Sequence, residues 1–131
     1  PIPVEKDERI DIVGAARSNE AFRRVIETGE HEQVVVMTIP PGGEIGTEVH
    51  ATTDQVLLFV DGRAEAILDG HARDVGANEL VFVRAGTEHN FVNRGDVPLR
   101  LITIYAPPEH APGTIHLTKM EADLAEHEAD G

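Results

Sequence analysis

Between Gln33 and Tyr105 the chain is cut into short β-branched runs by glycine and proline turns, and that rhythm governs what it can fold into. Gln33–Ile39 (QVVVMTI) stops at PPGG, Thr47–Ala51 is short, and Gln55–Asp61 stops at Gly62. Arg63–Leu68 meets Asp69-Gly70, His71–Val75 meets Gly76, and Glu79–Arg84 meets Ala85-Gly86. His89–Asn93 and Pro98–Tyr105 follow, the last ended by Pro107-Pro108. Strands of roughly five residues, with a turn every six to twelve or so, read as an antiparallel barrel or sandwich and exclude alternating strand and helix. Asp69-Gly70 between two such runs predicts a tight hairpin.

The ends read differently. Pro1 and Pro3 predict an irregular or edge segment, and the apolar residues from Ile10 to Val13 predict one further strand. SNEAFRRVIETG carries both a helix-start signal at Ser18 and a strand alternation, and the turn at Gly29 favours strand. Thr118 with Glu121 three residues on is a capping-box spacing, which predicts a helix over Thr118–Ala129 with Met120, Leu124 and His127 on one face. A length of 131 residues suits one domain, taken as 1–131.

Charge and composition narrow the partners. Eleven Lys and Arg against 24 Asp and Glu give a formal charge of −13, which repels nucleic-acid phosphates and anionic lipid. No run approaches the roughly 18 apolar residues of a membrane helix. No signal-peptide pattern opens the chain, so a cytoplasmic protein is expected. With no cysteine, thiol catalysis and thiolate metal sites are excluded.

Metal chemistry by other ligands is not. Glu48 and His50 are two apart, so on a strand they share a face. Burying such a pair inward is costly without a partner, and a cation is the obvious one. Gln55 opens the next strand, where its carbonyl can serve as a weak ligand or as support for one. His89 begins a later strand after Gly86. Glu48, His50 and His89 make a two-histidine, one-carboxylate set suited to Fe, Mn, Ni or Zn. Spacing alone is weak evidence in a chain with seven His and 24 acids, where a surface pair on a half-exposed strand reads equally well.

Two longer patterns add to it. Gly42, five residues, Glu48-Val49-His50, four residues, Gln55, six residues, Gly62 reproduces the spacing of the first motif of the cupin superfamily. Asn78, five residues, Arg84-Ala85-Gly86, two residues, His89, three residues, Asn93 reproduces the second. The chain therefore resembles the small single-domain bacterial cupins, RmlC-like jelly rolls, with core motifs at 42–62 and 78–93. The resemblance implies an all-β fold, an antiparallel double-stranded β-helix with a short C-terminal helix. It also implies one divalent metal ion held by Glu48, His50, Gln55 and His89. The sequence departs from the family pattern at two ligands: Glu48 stands where the family has its first histidine, and Gln55 where it has glutamate. Asn78 and Arg84 replace a glycine and a proline.

Other residues carry weaker expectations. Leu57, Phe59, Phe82, Phe91, Met37 and Ile104 are assigned to the core or the pocket wall, and Tyr105 to packing at the rim. Arg24 and Arg100 are weighed as interior cations against surface roles, with surface favoured. Asn93 is expected to tie a turn. Glu109, His110 and His116 lie in PPEHAPGTIH, which is read either as an exposed loop or as a lid. An amine role for Pro1 is considered and set aside.

The functional expectation is a metal-dependent enzyme acting on a small oxygen-rich molecule, first a non-haem iron dioxygenase with Glu48, His50 and His89 as catalytic ligands. A metal-dependent isomerase or lyase and a non-catalytic ligand-binding module are the alternatives. An ionisable group beyond the metal would separate the isomerase or lyase from the dioxygenase. Exposed strand edges lead us to expect a homodimer.

Overall fold

The computed structural model describes residues 8–130, with side chains to Glu126. Pro1, Pro3 and the side chain of His127 lie outside the described residues.

The chain runs α1 (Ile12–Ser18), β1 (Arg23–Thr28), β2 (Gln33–Ile39), β3 (Asp54–Asp61), β4 (Arg63–Leu68), β5 (His71–Gly76), β6 (Leu80–Val83), β7 (His89–Val92), β8 (Leu99–Ala106), β9 (Ile115–His116) and α2 (Lys119–Asp130). Two antiparallel sheets form, in the orders β6-β3-β8-β2-β1-β9 and β5-β4-β7. They face each other across one hydrophobic core that takes residues from both, including Met37, Leu57, Phe59, Ala66, Phe91 and Leu101. This is the two-sheet jelly-roll arrangement that the strand rhythm predicts, and α2 is the expected C-terminal helix.

Alternation along the strands decides which side chains enter the barrel. Gln33, Val35, Met37 and Ile39 of β2, Gln55, Leu57 and Phe59 of β3, and Leu101, Thr103 and Tyr105 of β8 are all buried. Register places Gln33 and Gln55 on either side of Tyr105, so three polar side chains line up across β2, β8 and β3. Beyond Thr103, the inward residues further along these strands are apolar. The interior is thus apolar over most of its length and polar at one end.

The opposite parity faces outward. Val36, Val60 and Ile102 pack beneath Ala16 and Ile12 of α1. Beyond the helix the same outer face carries Leu80, Phe82 and Ile104, exposed at 56%, 49% and 38%. Phe82 and Ile104, assigned from sequence to the core or pocket wall, therefore stand outside. Both faces of these strands are apolar, and parity alone does not say which one turns inward. Arg84 places its guanidinium over the Phe82 ring, 5.1 Å from the centroid.

Two segments differ from their predicted form. The strand expected over Ile10–Val13 is the entry to helix α1. Asp11 caps it, its Oδ1 accepting the Gly14 N–H at 3.1 Å. A side chain at Gly14 would collide with that carboxylate. Thr47–Ala51 is not a strand. Residues 42–48, with Gly42 and Gly46 at positive φ, run beside β7 through isolated bridges at Glu44 and Glu48 and single hydrogen bonds from the N–H groups of Ile45 and Gly46 to Phe91 and Asn90. The hairpin at Asp69-Gly70 forms as predicted, with both residues at positive φ between Leu68 and His71.

Buried Asn93 ties the turn after β7. Its Nδ2 donates to the carbonyls of Ile39 and Val97 at 3.0 and 2.9 Å, and its Oδ1 accepts the Gly95 N–H.

Candidate metal centre and its surroundings

The polar end of the barrel collects side chains from five places in the chain. Glu48 is held by a reciprocal pair of backbone hydrogen bonds with His89, each 2.9 Å, which brings the two motifs together at one rung. Two residues on, the side chain of His50 returns to the same side. Its Nε2 lies 3.2 Å from Glu48 Oε2, and its ring centroid lies 5.2 Å from that of His89. Gln55 enters from β3 and donates from Nε2 to Thr103 Oγ1 at 3.0 Å. The structure thus brings all four sequence-predicted ligands to one region.

The loop after β8 closes over them. Gln33 holds that loop by its backbone. Its Nε2 donates to the His110 carbonyl at 2.7 Å, and its Oε1 accepts the N–H groups of Glu109 and His110 at 3.3 and 3.0 Å. Glu109 is thereby placed with Oε1 3.2 Å from His50 Nδ1. The His110 ring stands edge-on to Tyr105, with centroids 5.1 Å apart. Tyr105 is 2% exposed and lies between His110 and His50, whose centroid is 5.9 Å away. It is an interior residue, not the rim residue expected. The strand end that looked like a mouth is covered by the loop.

Arg23 is the cation that the sequence did not single out. It is 1% exposed, directs Nη1 to His116 Nδ1 at 3.2 Å, and shares the inward face with Val25. The parity signal was present in RRVIET, but adjacent arginines made either phase acceptable. Arg24 faces out and donates to Asn19 at 3.1 Å, while Arg100 reaches Glu20 at 3.1 Å and bonds the Asn19 carbonyl. Neither supplies charge to the barrel interior.

This grouping perturbs its own titration. Contact with the Glu109 carboxylate, then with that of Glu48, raises His50 to about 9 against the opposing effect of burial. Burial pushes Glu48 up, but His50, Arg23 and His89 together outweigh it and leave the carboxyl below its usual range. Glu109 is lowered by His50 in spite of its own burial. Burial, then the charge of Arg23, drives His110 down to about 4, so its ring is neutral at pH 7. Burial holds the Tyr105 hydroxyl in its protonated form far above neutral pH.

A divalent ion can be tested against these positions. No group of three or more His, Cys, Asp or Glu side chains stands in a ready metal-holding arrangement among the described residues. The donor chemistry nevertheless fits. His89 Nδ1 is 2.9 Å from the Thr87 carbonyl, which fixes the proton there and leaves Nε2 with a lone pair. Glu109 plays the corresponding part at His50 Nδ1. Gln55 Oε1 is buried without a hydrogen-bond partner, and His50 Nε2 meets only the Glu48 carboxylate. The 3.2 Å between His50 Nε2 and Glu48 Oε2 is close to the roughly 3 Å that separates adjacent ligands on an ion with bonds of about 2.1 Å. Binding would exchange the proton shared by these two groups for the ion.

Residues 35–105 match the Cupin domain family, a span that includes both rungs of the centre and most of both sheets. The chain belongs to the cupin family. This cupin is 39% identical over 123 residues to the uncharacterized protein YrkC of Bacillus subtilis, covering 89% of this chain and 66% of YrkC. It is 34% identical over 109 residues to the uncharacterized protein L612 of Acanthamoeba polyphaga mimivirus, covering 79% of this chain and 68% of that protein. The chain thus spans about two thirds of the length of these relatives. The crystal structure of BH2720 from Bacillus halodurans superposes with a TM-score of 0.89 at 37% identity, covering 91% of this cupin and 95% of that chain.

Proposed function

We propose that this cupin is a divalent-metal enzyme that moves protons on a small oxygen-rich organic substrate, in an isomerase- or lyase-type reaction. One observation carries the reading. Arg23 Nε, Gln55 Oε1 and His110 Nε2 are buried side-chain polar atoms without a hydrogen-bond partner among the described residues, His50 Nε2 has only its contact with Glu48, and all four belong to this cluster. Buried polar groups are normally paired, so unpaired ones gathered at one place mark where ligands belong.

Glu48, His50 and His89 are the proposed catalytic ligands, with Gln55 completing the set, and Fe, Mn, Ni or Zn suits them. A divalent ion supplies a Lewis acid that polarises a substrate oxygen. The chain supplies the rest. Glu109 holds the Nδ1 proton of His50 and keeps that ring oriented. His110 presents a neutral, unpartnered Nε2 as a proton acceptor, and Tyr105 keeps a hydroxyl proton to donate. Phe59 and Phe91, with ring centroids 5.8 Å apart, form the apolar floor that limits water.

A non-haem iron dioxygenase is the second reading. The Phe91 ring, 6.2 Å from that of His89, favours it as an apolar wall beside a ligand. It ranks second because Tyr105, His110, Glu109 and Arg23 make the far wall ionisable, which suits proton transfer. We also infer a cytoplasmic homodimer, joined through the outer face at Leu80, Phe82 and Ile104.

Elemental analysis of protein purified without a histidine tag tests the metal reading. Near-stoichiometric divalent metal, lost in the Glu48→Ala/His89→Ala double variant with the fold retained, is the expected result. Metal retained by that variant refutes the ligand set. No metal, and no uptake on titration, leaves a ligand-binding module.

A further inference from the structure

Arg23 has no carboxylate partner. It forms no ion pair among the described residues, its Nε lacks any hydrogen-bond partner, and it is 1% exposed. A buried guanidinium without a counter-charge is costly, and desolvated arginine is normally paired. Glu48 and Glu109, the acids of the ligand cluster, both close on His50, and Glu126 acts on Arg23 electrostatically without forming an ion pair.

We propose that Arg23, with the Tyr105 hydroxyl, seats a carboxylate of the substrate beside the His110 ring, so that the enzyme acts on a small organic acid. The inference rests on the metal-enzyme reading above and names its substrate class. Two features support it besides the unpaired Arg23.

The first is charge. Arg23 and a divalent ion would place two cationic centres at this end of the barrel, set against Glu48, Glu109 and Glu126, the last acting on both Arg23 and Glu48. Three nearby carboxylates disfavour a dianion such as phosphate, so the anion that suits Arg23 carries a single charge.

The second is the set of donors. The Tyr105 ring packs against both His50 and His110, its hydroxyl is in hydrogen-bond contact with Arg23, and His110 Nε2 is buried with nothing bonded to it. An arginine edge with a tyrosine hydroxyl beside it suits a planar carboxylate. Arg23 also acts electrostatically on His110. An anion seated there cancels that influence and returns the ring toward the basicity that proton transfer needs.

The test uses the full chain, metal-free and zinc-loaded, and follows the side-chain Nε–H resonance of Arg23 by 15N NMR. Propionate is the probe, propionamide its neutral counterpart, and inorganic phosphate the competing anion. The expected result is a saturable shift of the Arg23 resonance with propionate in both forms, tighter with zinc, and none with propionamide. Arg23→Gln is expected to weaken propionate binding about 10- to 100-fold, with Arg23→Lys recovering part of it. Absence of a saturable shift with propionate, an equal response to propionamide, or tighter binding of phosphate overturns the proposal. If Arg23→Gln fails to fold, the titration of the unaltered protein decides alone. Failure to take up zinc, with the propionate shift intact, removes the metal reading and leaves the carboxylate seat standing.

Discussion

Replacing Gln33 by leucine removes the side chain that holds the loop after β8. Gln33 donates to the His110 carbonyl and to Thr28 Oγ1, and accepts from the N–H groups of Glu109 and His110. Four neutral hydrogen bonds at about 1 kcal/mol each set an upper figure of roughly 4 kcal/mol. Release of the loop into water lets its backbone groups rehydrate, so about 2–3 kcal/mol is the expected loss in urea unfolding. The variant also has a signature that a packing defect would not give. Glu109 is the leading reason that His50 titrates at about 9, and it reaches His50 only because Gln33 places it there. In metal-free Gln33→Leu the His50 midpoint, read from its ring resonances, is expected to fall by at least about one unit. Glu109→Gln is expected to lower the midpoint similarly with a smaller loss of stability. A Gln33→Leu protein that keeps the His50 midpoint near 9 refutes the claim that this side chain positions the loop.

The stability of the metal-free protein is expected to peak near pH 6–7. His110 is depressed to about 4, so the unfolded chain binds its proton first and stability falls as pH drops from about 6.5 toward 4, by about 2 kcal/mol. His50 is raised to about 9, so its contribution is complete below about pH 6.5 and is lost as pH rises through 9. Glu48 and Glu109 are lowered, and their contributions disappear at still lower pH, as it falls through their folded midpoints. Urea titrations of His110→Asn across this range are expected to show a flattened slope between about pH 6.5 and 4.5, and an unchanged slope refutes the assignment. For self-association, Phe82→Asp is expected to convert a dimer to a monomer in sedimentation with little loss of stability, because the ring is 49% exposed in the single chain. Single-chain mass for the unaltered protein refutes the dimer.

Much of the fold was legible because β-branched runs and glycine turns are local signals. Gln33–Ile39 and Arg63–Leu68 begin and end where the sequence places them. The misses are cases where a local signal met a stronger one. Ile10–Val13 has a strand's composition, but the Asp11 cap and the alanines after it favour a helix. Phe82 and Ile104 sit on strands whose two faces are both apolar, so alternation identifies the faces and tertiary packing chooses between them. In the candidate site, the gathering of Glu48, His50, Gln55 and His89 was legible from their spacing together with the family resemblance, and their role as ligands is the reading proposed above. The placement of Glu109 and His110 was not legible, since it depends on one glutamine about 76 residues away in sequence that meets the loop only through backbone atoms. Arg23 was missed because its neighbour is also arginine.

The grip of Gln33 on the loop has a consequence for how such a protein diversifies. It contacts the N–H of Glu109 and the N–H and carbonyl of His110, atoms that every residue except proline carries at both positions. The fastening is therefore indifferent to the side chains it delivers. Positions 109 and 110 can change identity without loosening the loop, so the groups set opposite Tyr105 behave as an exchangeable cartridge, and new chemistry can be tried on this barrel at little cost to the barrel itself.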